Sequence, residues 1–233
     1  MQEKVRSSGF DAPVHLITAG RPDGWASVIE RVRAALEGGV RVVQYRHKTA
    51  PVRQMMEELA TLVKMCRASD TALIVNDRLD VALAAGAAGV HLGWNDLPWT
   101  WARQHAPVPF VLGCTAASPE RVAEAIAAGA DYVGAGPAYA TTTKKDTGPR
   151  LAGRDYAALA LACRRRASSP LPLVAVGGIG PGRAAGPVEA GADAVAVSSA
   201  ILDAADPARV AHDLTQEVVR ARLARTATGP EPR

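Results

Sequence analysis

The sequence is poor in aromatic residues and cysteine, and each shortage excludes a class of protein. Phe, Trp and Tyr make up 4% of the 233 residues, whereas 48% of all residues are hydrophobic, so small apolar side chains must fill the core. The three cysteines, Cys66, Cys114 and Cys163, are widely spaced, which argues against a disulfide framework and against a zinc site. This composition favours helices packed closely on strands over an aromatic-rich sandwich.

Long apolar runs and blocks of one charge are also missing. No run approaches the roughly 18 apolar residues that span a membrane, and Met1 to Phe10 lacks the apolar core of a signal peptide. The net charge of +4 is spread along the chain, and its densest basic run, Arg164 to Arg166, suits the end of a predicted helix. We therefore expect a cytoplasmic protein that binds neither membranes nor nucleic acid; the sequence leaves homo-oligomerisation open.

Short apolar runs alternate along the chain with segments of helical spacing, such as Ala26–Leu36, Val52–Cys66 and Pro119–Ala128. Strands separated by helices pair in parallel, because each return crossover needs a helix. We predict a single (β/α)8 TIM barrel over residues 12–225, with a flexible lead at 1–11 and a disordered tail at 226–233. The eight candidate strands are Val14–Thr18, Val40–Tyr45, Ala72–Val75, Gly89–Leu92, Phe110–Leu112, Tyr132–Gly134, Leu173–Val176 and Ala194–Val197.

A recurring junction supports one βα unit used repeatedly. Glycine follows four helical segments just before a candidate strand, at Gly38-Gly39, Gly86, Gly129 and Gly191. Glycine in this place supplies the left-handed residue that ends a helix. An open Rossmann-like sheet is the alternative, but no G-x-G-x-x-G follows the first strand, and eight strands suit closure better.

Reactive side chains cluster where the strands end, which is where TIM barrels place their active sites. After the second strand, alternation sends Gln44, Arg46 and Lys48 to one face. An arginine fork and a lysine ammonium together suit a polyanion such as a pyrophosphate. A solvated strand end is the plainer interpretation of the same residues.

Two aspartates follow the third and fourth strands, Asp77 in Asn76-Asp77-Arg78 and Asp96 after His91-Leu92-Gly93. Each alone has the sequence of a helix cap. As a pair on adjacent strand ends beside basic residues, they predict a site for one hard cation, because Mg²⁺ takes one or two carboxylates together with phosphate oxygens. We expect His91 to face the barrel mouth without binding the metal.

The remaining strand ends complete the first anion site and predict a second one. A long loop after the sixth strand adds Thr141, Thr143 and Lys144 to the site that carries the basic residues and the aspartates. The second, metal-free site lies at Gly177-Gly178 after the seventh strand and Ser198-Ser199 after the eighth. Long loops in compact barrels are usually functional. Barrels often bind a monophosphate with backbone N–H groups and hydroxyls after strands seven and eight.

Taken together, these motifs resemble thiamine phosphate synthase over nearly the whole barrel, about Val14 to Leu202. The matching pieces, in order, are Gln44-x-Arg46-x-Lys48, Asn76-Asp77-Arg78, Gly89-Val90-His91-Leu92-Gly93 with Asp96, Asp131-Tyr132-Val133-Gly134-x-Gly136-Pro137, the loop from Thr141 to Asp146, and Gly177-Gly178-Ile179. The resemblance implies an enzyme that joins a hydroxymethylpyrimidine pyrophosphate to a thiazole phosphate with release of pyrophosphate. Its partners would be these two small molecules and its cofactor Mg²⁺.

The resemblance also implies a role for each matching residue. Asp77 and Asp96 would bind Mg²⁺; Arg46, Lys48 and Lys144 would act catalytically on the leaving pyrophosphate. The pyrimidine substrate would contact Gln44, Arg46, Lys48, Asn76, Cys114 and Lys144, and the thiazole phosphate would contact Thr141, Thr143, Gly178, Ser198 and Ser199. Three residues depart from the family's pattern: Trp94 stands where it usually has glutamine, Asn95 where it has an acid, and Cys114 where it has a serine near the substrate.

Three other functions remain as rivals. A thiazole tautomerase shares the barrel and the monophosphate site, but it has no need of the cation-rich pyrophosphate side. A non-catalytic sensor of thiamine precursors would bind both ligands and release no pyrophosphate. A generic sugar-phosphate isomerase would leave one of the two anion sites unexplained.

Overall fold

The computed structural model is a closed barrel of eight parallel strands in sequential order, each hydrogen-bonded to its neighbours, with β1 paired to β8. The structure describes residues 12–20, 23–141, 148–166 and 169–227. The strands are β1 (Val14–Ile17), β2 (Val42–Tyr45), β3 (Ala72–Asn76), β4 (Gly89–Leu92), β5 (Val111–Thr115), β6 (Tyr132–Ala135), β7 (Leu173–Val176) and β8 (Ala194–Val197). The predicted (β/α)8 barrel is confirmed, and the open sheet is excluded.

Helices fill the connections between strands. They are α1 (Trp25–Glu37), α2 (Val52–Ala68), α3 (Leu79–Ala85), α4 (Trp99–His105), α5 (Pro119–Ala127), α6 (Gly153–Cys163), α7 (Ala185–Glu189), α8 (Ser199–Leu202) and α9 (Pro207–Ala227). Local sequence explains several boundaries: at α5, Ser118 accepts a hydrogen bond from the Arg121 N–H and Pro119 occupies the first turn. No helix among the described residues is long and apolar enough to cross a membrane.

Two apolar layers fill the molecule. The inner layer consists almost wholly of alternate strand residues, including Val42, Ile74, Val111 and Val174, and it fills the barrel. The outer layer joins the opposite strand faces to the helices, for example Val43 and Val75 to Leu59. Residues that face inward near the strands' carboxyl ends therefore lie at the barrel mouth.

The repeated glycine junction is confirmed. The backbone φ is +101° at Gly39, +66° at Gly86, +76° at Gly129 and +125° at Gly191, the left-handed region that glycine enters without strain. At two of these junctions an aspartate follows the glycine and hydrogen-bonds to the backbone of the preceding strand. Asp131 Oδ2 accepts from Leu112 N at 2.9 Å, and Asp193 Oδ2 accepts from Leu173 N at 3.0 Å.

Most boundary differences are of one or two residues, and two of the changes affect the predictions made from the sequence. Strand β5 runs to Thr115 and not to Leu112, because Thr115 still pairs with Gly134 of β6. Helix α9 continues to Ala227, two residues into the range predicted as a tail, and Thr226 Oγ1 donates to Leu223 O at 2.8 Å in its last turn. The predicted lead at 1–11 and the rest of the tail lie outside the described residues.

Candidate active site

The end of β2 points basic and amide groups at the barrel mouth. Gln44 shares the inward face of β2 with Val42 and is buried, and Arg46 continues that face beyond the strand. The Arg46 backbone N–H donates to Thr18 Oγ1 at 2.8 Å, which ties this segment to the end of β1. Within the described ranges no carboxylate forms an ion pair with the Arg46 guanidinium, so its donors remain available to an anion.

Three charged side chains meet at the ends of β2, β3 and β4. Lys48 Nζ donates to Asp77 Oδ2 in a partly exposed ion pair. Asp77 lies close enough to Asp96 for its charge to raise the pKa of the Asp96 carboxyl. Asp96 Oδ2 also accepts from the Gly93 N–H at 2.6 Å, which closes the loop after β4. The structure therefore brings together the two predicted metal ligands and one predicted catalytic lysine.

The Asp96 carboxyl is held in an environment that disfavours its charge. Burial raises the pKa of Asp96, and the nearby Asp77 carboxylate raises it further, whereas the Gly93 N–H and the Lys48 ammonium act in the opposite direction. Two carboxylates this close repel each other unless a cation or a proton lies between them. This arrangement favours cation binding at the pair.

The interpretation of these aspartates as helix caps is wrong. The N-cap of α3 is Arg78 and that of α4 is Pro98, and neither helix has a side-chain cap hydrogen bond. Asp77 instead lies in the left-handed region, with φ of +66°, and its N–H donates to His91 O at 2.8 Å. The β3–β4 ladder thus holds Asp77 at the sheet edge, where its side chain meets Lys48.

The donor set suits magnesium that is shared with a substrate. In the part of the chain that the structure describes, no group of three or more His, Cys, Asp or Glu side chains could hold a metal ion alone. Mg²⁺ commonly takes one or two carboxylates and completes its coordination with phosphate oxygens and water. Asp77 and Asp96 fit that pattern and do not form an all-protein cage.

Beneath the mouth lies a layer of polar side chains that the sequence interpretation had not assembled. His91 Nδ1 lies 3.0 Å from the Tyr132 hydroxyl, and His91 Nε2 lies 2.9 Å from Thr115 Oγ1. Gln44 hydrogen-bonds with Tyr132, whose pKa burial raises well above its usual value. Gly113 makes room for this ring, because a Cβ there would lie 2.2 Å from Tyr132 Cζ. Strand alternation was the available signal, since all these residues take inward positions.

The structure turns Cys114, a predicted substrate contact, away from the barrel mouth. Cys114 is 0% exposed and packs in the outer layer between strands and helices. Burial raises the pKa of its thiol well above the ordinary value, so the thiol stays protonated and inert. Because β5 extends to Thr115, it is the Thr115 hydroxyl that faces inward at this level, beside His91. The strand was predicted to end at Leu112, three residues early, so the sequence alone did not show which of the two side chains faces inward.

On the opposite side of the mouth, the loop after β6 continues alongside β7. Ala138 N donates to Val176 O at 2.9 Å, and Tyr139 N donates to Gly177 O at 2.9 Å. Gly178 has φ of +65°, and a Cβ there would lie 2.4 Å from Ala140 O, so only glycine fits. The structure thus places Gly178 against the segment that leads to the half-buried Thr141.

The two serines after β8 differ in environment. Ser198 Oγ is buried and has no hydrogen-bond partner among the described residues, whereas Ser199 is exposed at the first position of α8. Gly180 packs near Ala200, where a Cβ on the glycine would lie 3.6 Å away, so the loops after β7 and β8 adjoin. An unpaired buried hydroxyl is costly unless a ligand or water meets it. Thr143 and Lys144 lie outside the described residues.

Trp94 stands on the rim beside Asp96. Its side chain is largely exposed, at 56%, the Arg121 guanidinium lies over its ring, and Trp99 meets it edge to face with ring centroids 5.8 Å apart. These contacts link the loop after β4 to helices α4 and α5. Where the family usually has glutamine, this chain therefore has an aromatic ring at the edge of the site, and the contacts with Arg121 and Trp99 hold that ring in place.

Comparison with known proteins agrees with this geometry. The chain is 44% identical over 193 residues to the thiamine biosynthesis bifunctional protein ThiM/ThiE of Symbiobacterium thermophilum, covering 82% of this chain and 38% of that protein. It is 38% identical over 209 residues to the thiamine-phosphate synthase of Moorella thermoacetica, covering 90% of this chain and 97% of that one. Among solved structures, a thiamine phosphate pyrophosphorylase from Pyrococcus furiosus superposes with a TM-score of 0.76 at 35% identity, covering 91% of this chain and 97% of that chain.

The sequence model described as thiamine monophosphate synthase matches residues 14–201, which is the barrel from its first strand to helix α8. This match includes the Lys48, Asp77 and Asp96 cluster and both serines after β8. The resemblance seen in the motifs is thereby confirmed, and the chain belongs to the thiamine monophosphate synthase family.

Proposed function

We propose that this chain is a thiamine phosphate synthase, a transferase that moves a hydroxymethylpyrimidine group from its pyrophosphate to the nitrogen of a thiazole phosphate. The observation that carries the proposal is the meeting of Lys48, Asp77 and Asp96 at one side of the mouth, with Arg46 nearby. Two carboxylates and a lysine ammonium suit a metal–pyrophosphate group. A thiazole tautomerase needs no such cluster.

The pyrophosphate side of the mouth is assigned to Arg46, Lys48, Asn76 and Lys144, with Mg²⁺ held by Asp77 and Asp96. When bound, the metal supplies positive charge that stabilises the leaving pyrophosphate. Arg46 offers a planar fork of N–H donors to phosphate oxygens, and Asn76 occupies the last inward position of β3. Donors that are held in place before reaction are the usual source of large electrostatic effects on rate.

The pyrimidine is assigned to the polar layer beneath the mouth. Gln44 lies above Tyr132, and Thr115 is oriented by His91, so an amide and a hydroxyl are available to the ring's amino group and nitrogens. Thr115 supplies the hydroxyl that Cys114 cannot. The thiazole phosphate is assigned to Thr141, Thr143, Gly178, Ser198 and Ser199. Of these residues, Ser198 has a buried hydroxyl without a hydrogen-bond partner among the described residues, and the phosphate would supply one.

The reaction suits this set of residues because it requires no base. The bond between the methylene carbon and the bridging oxygen breaks, and its electron pair leaves with the pyrophosphate. The electron-rich pyrimidine stabilises the resulting methylene cation until the thiazole nitrogen donates its lone pair to the carbon. No proton is lost from the nitrogen, so the basic residues serve only to hold and stabilise the leaving charge.

The test is pyrophosphate release from purified protein given both substrates, with magnesium and then with a chelator. We expect release that needs the metal and the thiazole phosphate together. Binding of both substrates without release would instead support a sensor. Isomerisation of the thiazole without pyrophosphate release would support the tautomerase. A cytoplasmic location and self-association belong to the same proposal and are tested separately, by fractionation and by light scattering.

Asp77→Ala tests whether the pyrophosphate side and the thiazole phosphate side of the mouth bind their ligands independently. We expect turnover to fall by at least about 100-fold, because a ligand of the leaving-group metal is lost. Thiazole phosphate binding, measured by calorimetry, should change little, since Asp77 lies on the other side of the barrel. Equal loss of turnover and thiazole phosphate affinity would contradict this division.

A further inference from the structure

A glutamate on the apolar face of α2 has no place in the chemistry above. Glu58 is 7% exposed and lies among Met55, Leu59 and Leu62, which form the buried stripe of the helix. A carboxylate is costly to bury unless hydrogen bonds satisfy both of its oxygens. Its position on an apolar stripe is visible in the sequence, but its partners are not.

Three side chains donate to this carboxylate. The Tyr45 hydroxyl donates to Oε2 at 2.6 Å, and Gln54 Nε2 donates to Oε1 at 2.8 Å. His47 Nδ1 lies 3.0 Å from Oε2 and donates as well, because a carboxylate only accepts. The Trp25 ring stacks on His47, with centroids 5.3 Å apart and an 11° interplanar angle, and meets Tyr45 edge to face at 5.2 Å.

Two of these donors flank Arg46 in the sequence. Tyr45 is the last residue of β2, and beyond it the chain leaves the sheet, so no strand ladder fixes residues 46–48. Tyr45 and His47 point outward to Glu58, whereas Gln44, Arg46 and Lys48 take the inward face. Three sets of contacts fix the direction of Arg46 and Lys48: the bond from Arg46 N to Thr18, the ion pair of Lys48 with Asp77, and the hydrogen bonds from the two outward neighbours to Glu58.

We propose that Glu58 is a positioning residue for the pyrophosphate side of the mouth. It accepts hydrogen bonds from Tyr45 and His47 on the outer side of the barrel wall and thereby orients Arg46 and Lys48 toward the mouth. This rests on the proposed function, since it assigns the aimed residues to the pyrophosphate. Glu58 touches no substrate and acts only through the end of β2. Misplacing such groups by about 1 Å lowers rates by up to about 100-fold.

Glu58→Gln tests the proposal with minimal change in volume. An amide is uncharged and accepts only at its oxygen, so its hydrogen bonds from Tyr45 and His47 are weaker than those to the carboxylate, whereas Gln54 can turn its own amide to meet the new NH2 group. We expect kcat/KM for the pyrimidine pyrophosphate to fall about 10- to 100-fold and the KM for thiazole phosphate to stay within about twofold. The affinity for inorganic pyrophosphate with magnesium, measured by calorimetry, should fall in parallel.

Asp131→Asn is the matched control. Asp131 is another carboxylate with little exposure and several donors, Leu112 N at 2.9 Å and Arg103 Nη2 at 2.6 Å, but it lies at the amino end of β6, away from the mouth. We expect this variant to melt at a lower temperature with both KM values unchanged. Equal effects of Glu58→Gln on both substrates, or none on pyrophosphate affinity, would overturn the positioning role.

Tyr45→Phe provides a second route in case Glu58→Gln fails to fold. It removes one donor to Glu58 and keeps the aromatic contact with Trp25. We expect a severalfold loss of pyrophosphate affinity with no change for thiazole phosphate, and an unchanged pyrophosphate affinity would overturn the proposal. Failure of the proposed function is distinguishable, because the unsubstituted protein would then release no pyrophosphate at all.

Discussion

Cys114 and Thr115 are neighbours in the sequence but face opposite sides of the barrel wall. The thiol packs against the helices in the outer layer, and the hydroxyl hydrogen-bonds to His91 in the polar layer below the mouth. The same alternation separates Tyr45 and His47 from Arg46. At the scale of single residues, a one-position change of register therefore exchanges a residue of the outer core for one that faces the barrel interior.

Paired substitutions test this assignment. We expect Thr115→Val to lower kcat/KM for the pyrimidine pyrophosphate by about tenfold, because a hydrogen-bonding group near the substrate is lost at almost unchanged volume. Cys114→Ser should instead lower the free energy of unfolding by about 1–3 kcal/mol, since a hydroxyl is buried among apolar groups, and leave both KM values unchanged. Steady-state kinetics and urea unfolding give the two readouts. Loss of turnover in Cys114→Ser with an unaffected Thr115→Val would restore the original prediction.

At the scale of elements, the loops after β6 and β7 are built as one unit. Backbone hydrogen bonds from Ala138 and Tyr139 carry the β6–β7 pairing past the ends of both strands. Gly177 and Gly178 lie against Pro137 and Ala140 so closely that side chains there would collide with the neighbouring chain. This contact, together with the adjoining loop after β8, forms the base of the proposed thiazole phosphate site.

Gly178→Ala and Gly182→Ala separate close approach from backbone strain. Both glycines have positive φ, at +65° and +76°, but a Cβ on Gly178 would meet Ala140 O at 2.4 Å, whereas one on Gly182 meets nothing within 4 Å. Each substitution should destabilise the protein by about 1–2 kcal/mol through the left-handed backbone. We expect only Gly178→Ala to raise the KM for thiazole phosphate, by roughly tenfold, because its loop must move. An equal rise in both variants would show that strain alone matters.

Over the whole molecule, the two ends of the barrel divide function from stability. The carboxyl ends of the strands carry the charged cluster and the glycine loops. The amino ends carry aspartates, such as Asp131 and Asp193, that hydrogen-bond to the backbone of the neighbouring strand. Helix α9 packs against α1 and α7 and closes the ring of helices at the β8–β1 joint. Its Arg225 donates to Val188 O at 2.9 Å and Ala192 O at 2.7 Å and pairs with Asp193.

Arg225→Ala should therefore weaken the fold without altering catalysis. We expect the free energy of unfolding to fall by about 1.5–3 kcal/mol, because hydrogen bonds from a charged group to half-buried carbonyls are lost. Arg209→Ala on the same helix is the control: its ion pair with Asp213 is largely exposed and should contribute less than about 1 kcal/mol. Thermal melting and turnover at low temperature are the measurements. A changed KM in Arg225→Ala would contradict the separation of the two ends.

The barrel and the order of its elements can be inferred from the sequence alone, and so can most residues of the proposed site. Helix–strand alternation requires parallel pairing, and the glycines after helices require a left-handed backbone, so both features follow from local physics. Arg46, Lys48, Asp77 and Asp96 were identifiable because polar and charged side chains at the ends of apolar strands are unusual. Their gathering at one edge then follows from barrel topology.

The contacts between side chains that are far apart in sequence can be seen only in the tertiary structure. The sequence did not show that Asp77 contacts Lys48, that Glu58 accepts from Tyr45 and His47, or that His91 joins Tyr132 to Thr115. The end of β5 is a similar case, since pairing with Gly134, and not the apolar pattern, extends it to Thr115. Strand ends and hydrogen-bond partners depend on the neighbouring strand and helix, and the local sequence does not specify which strand or helix that is.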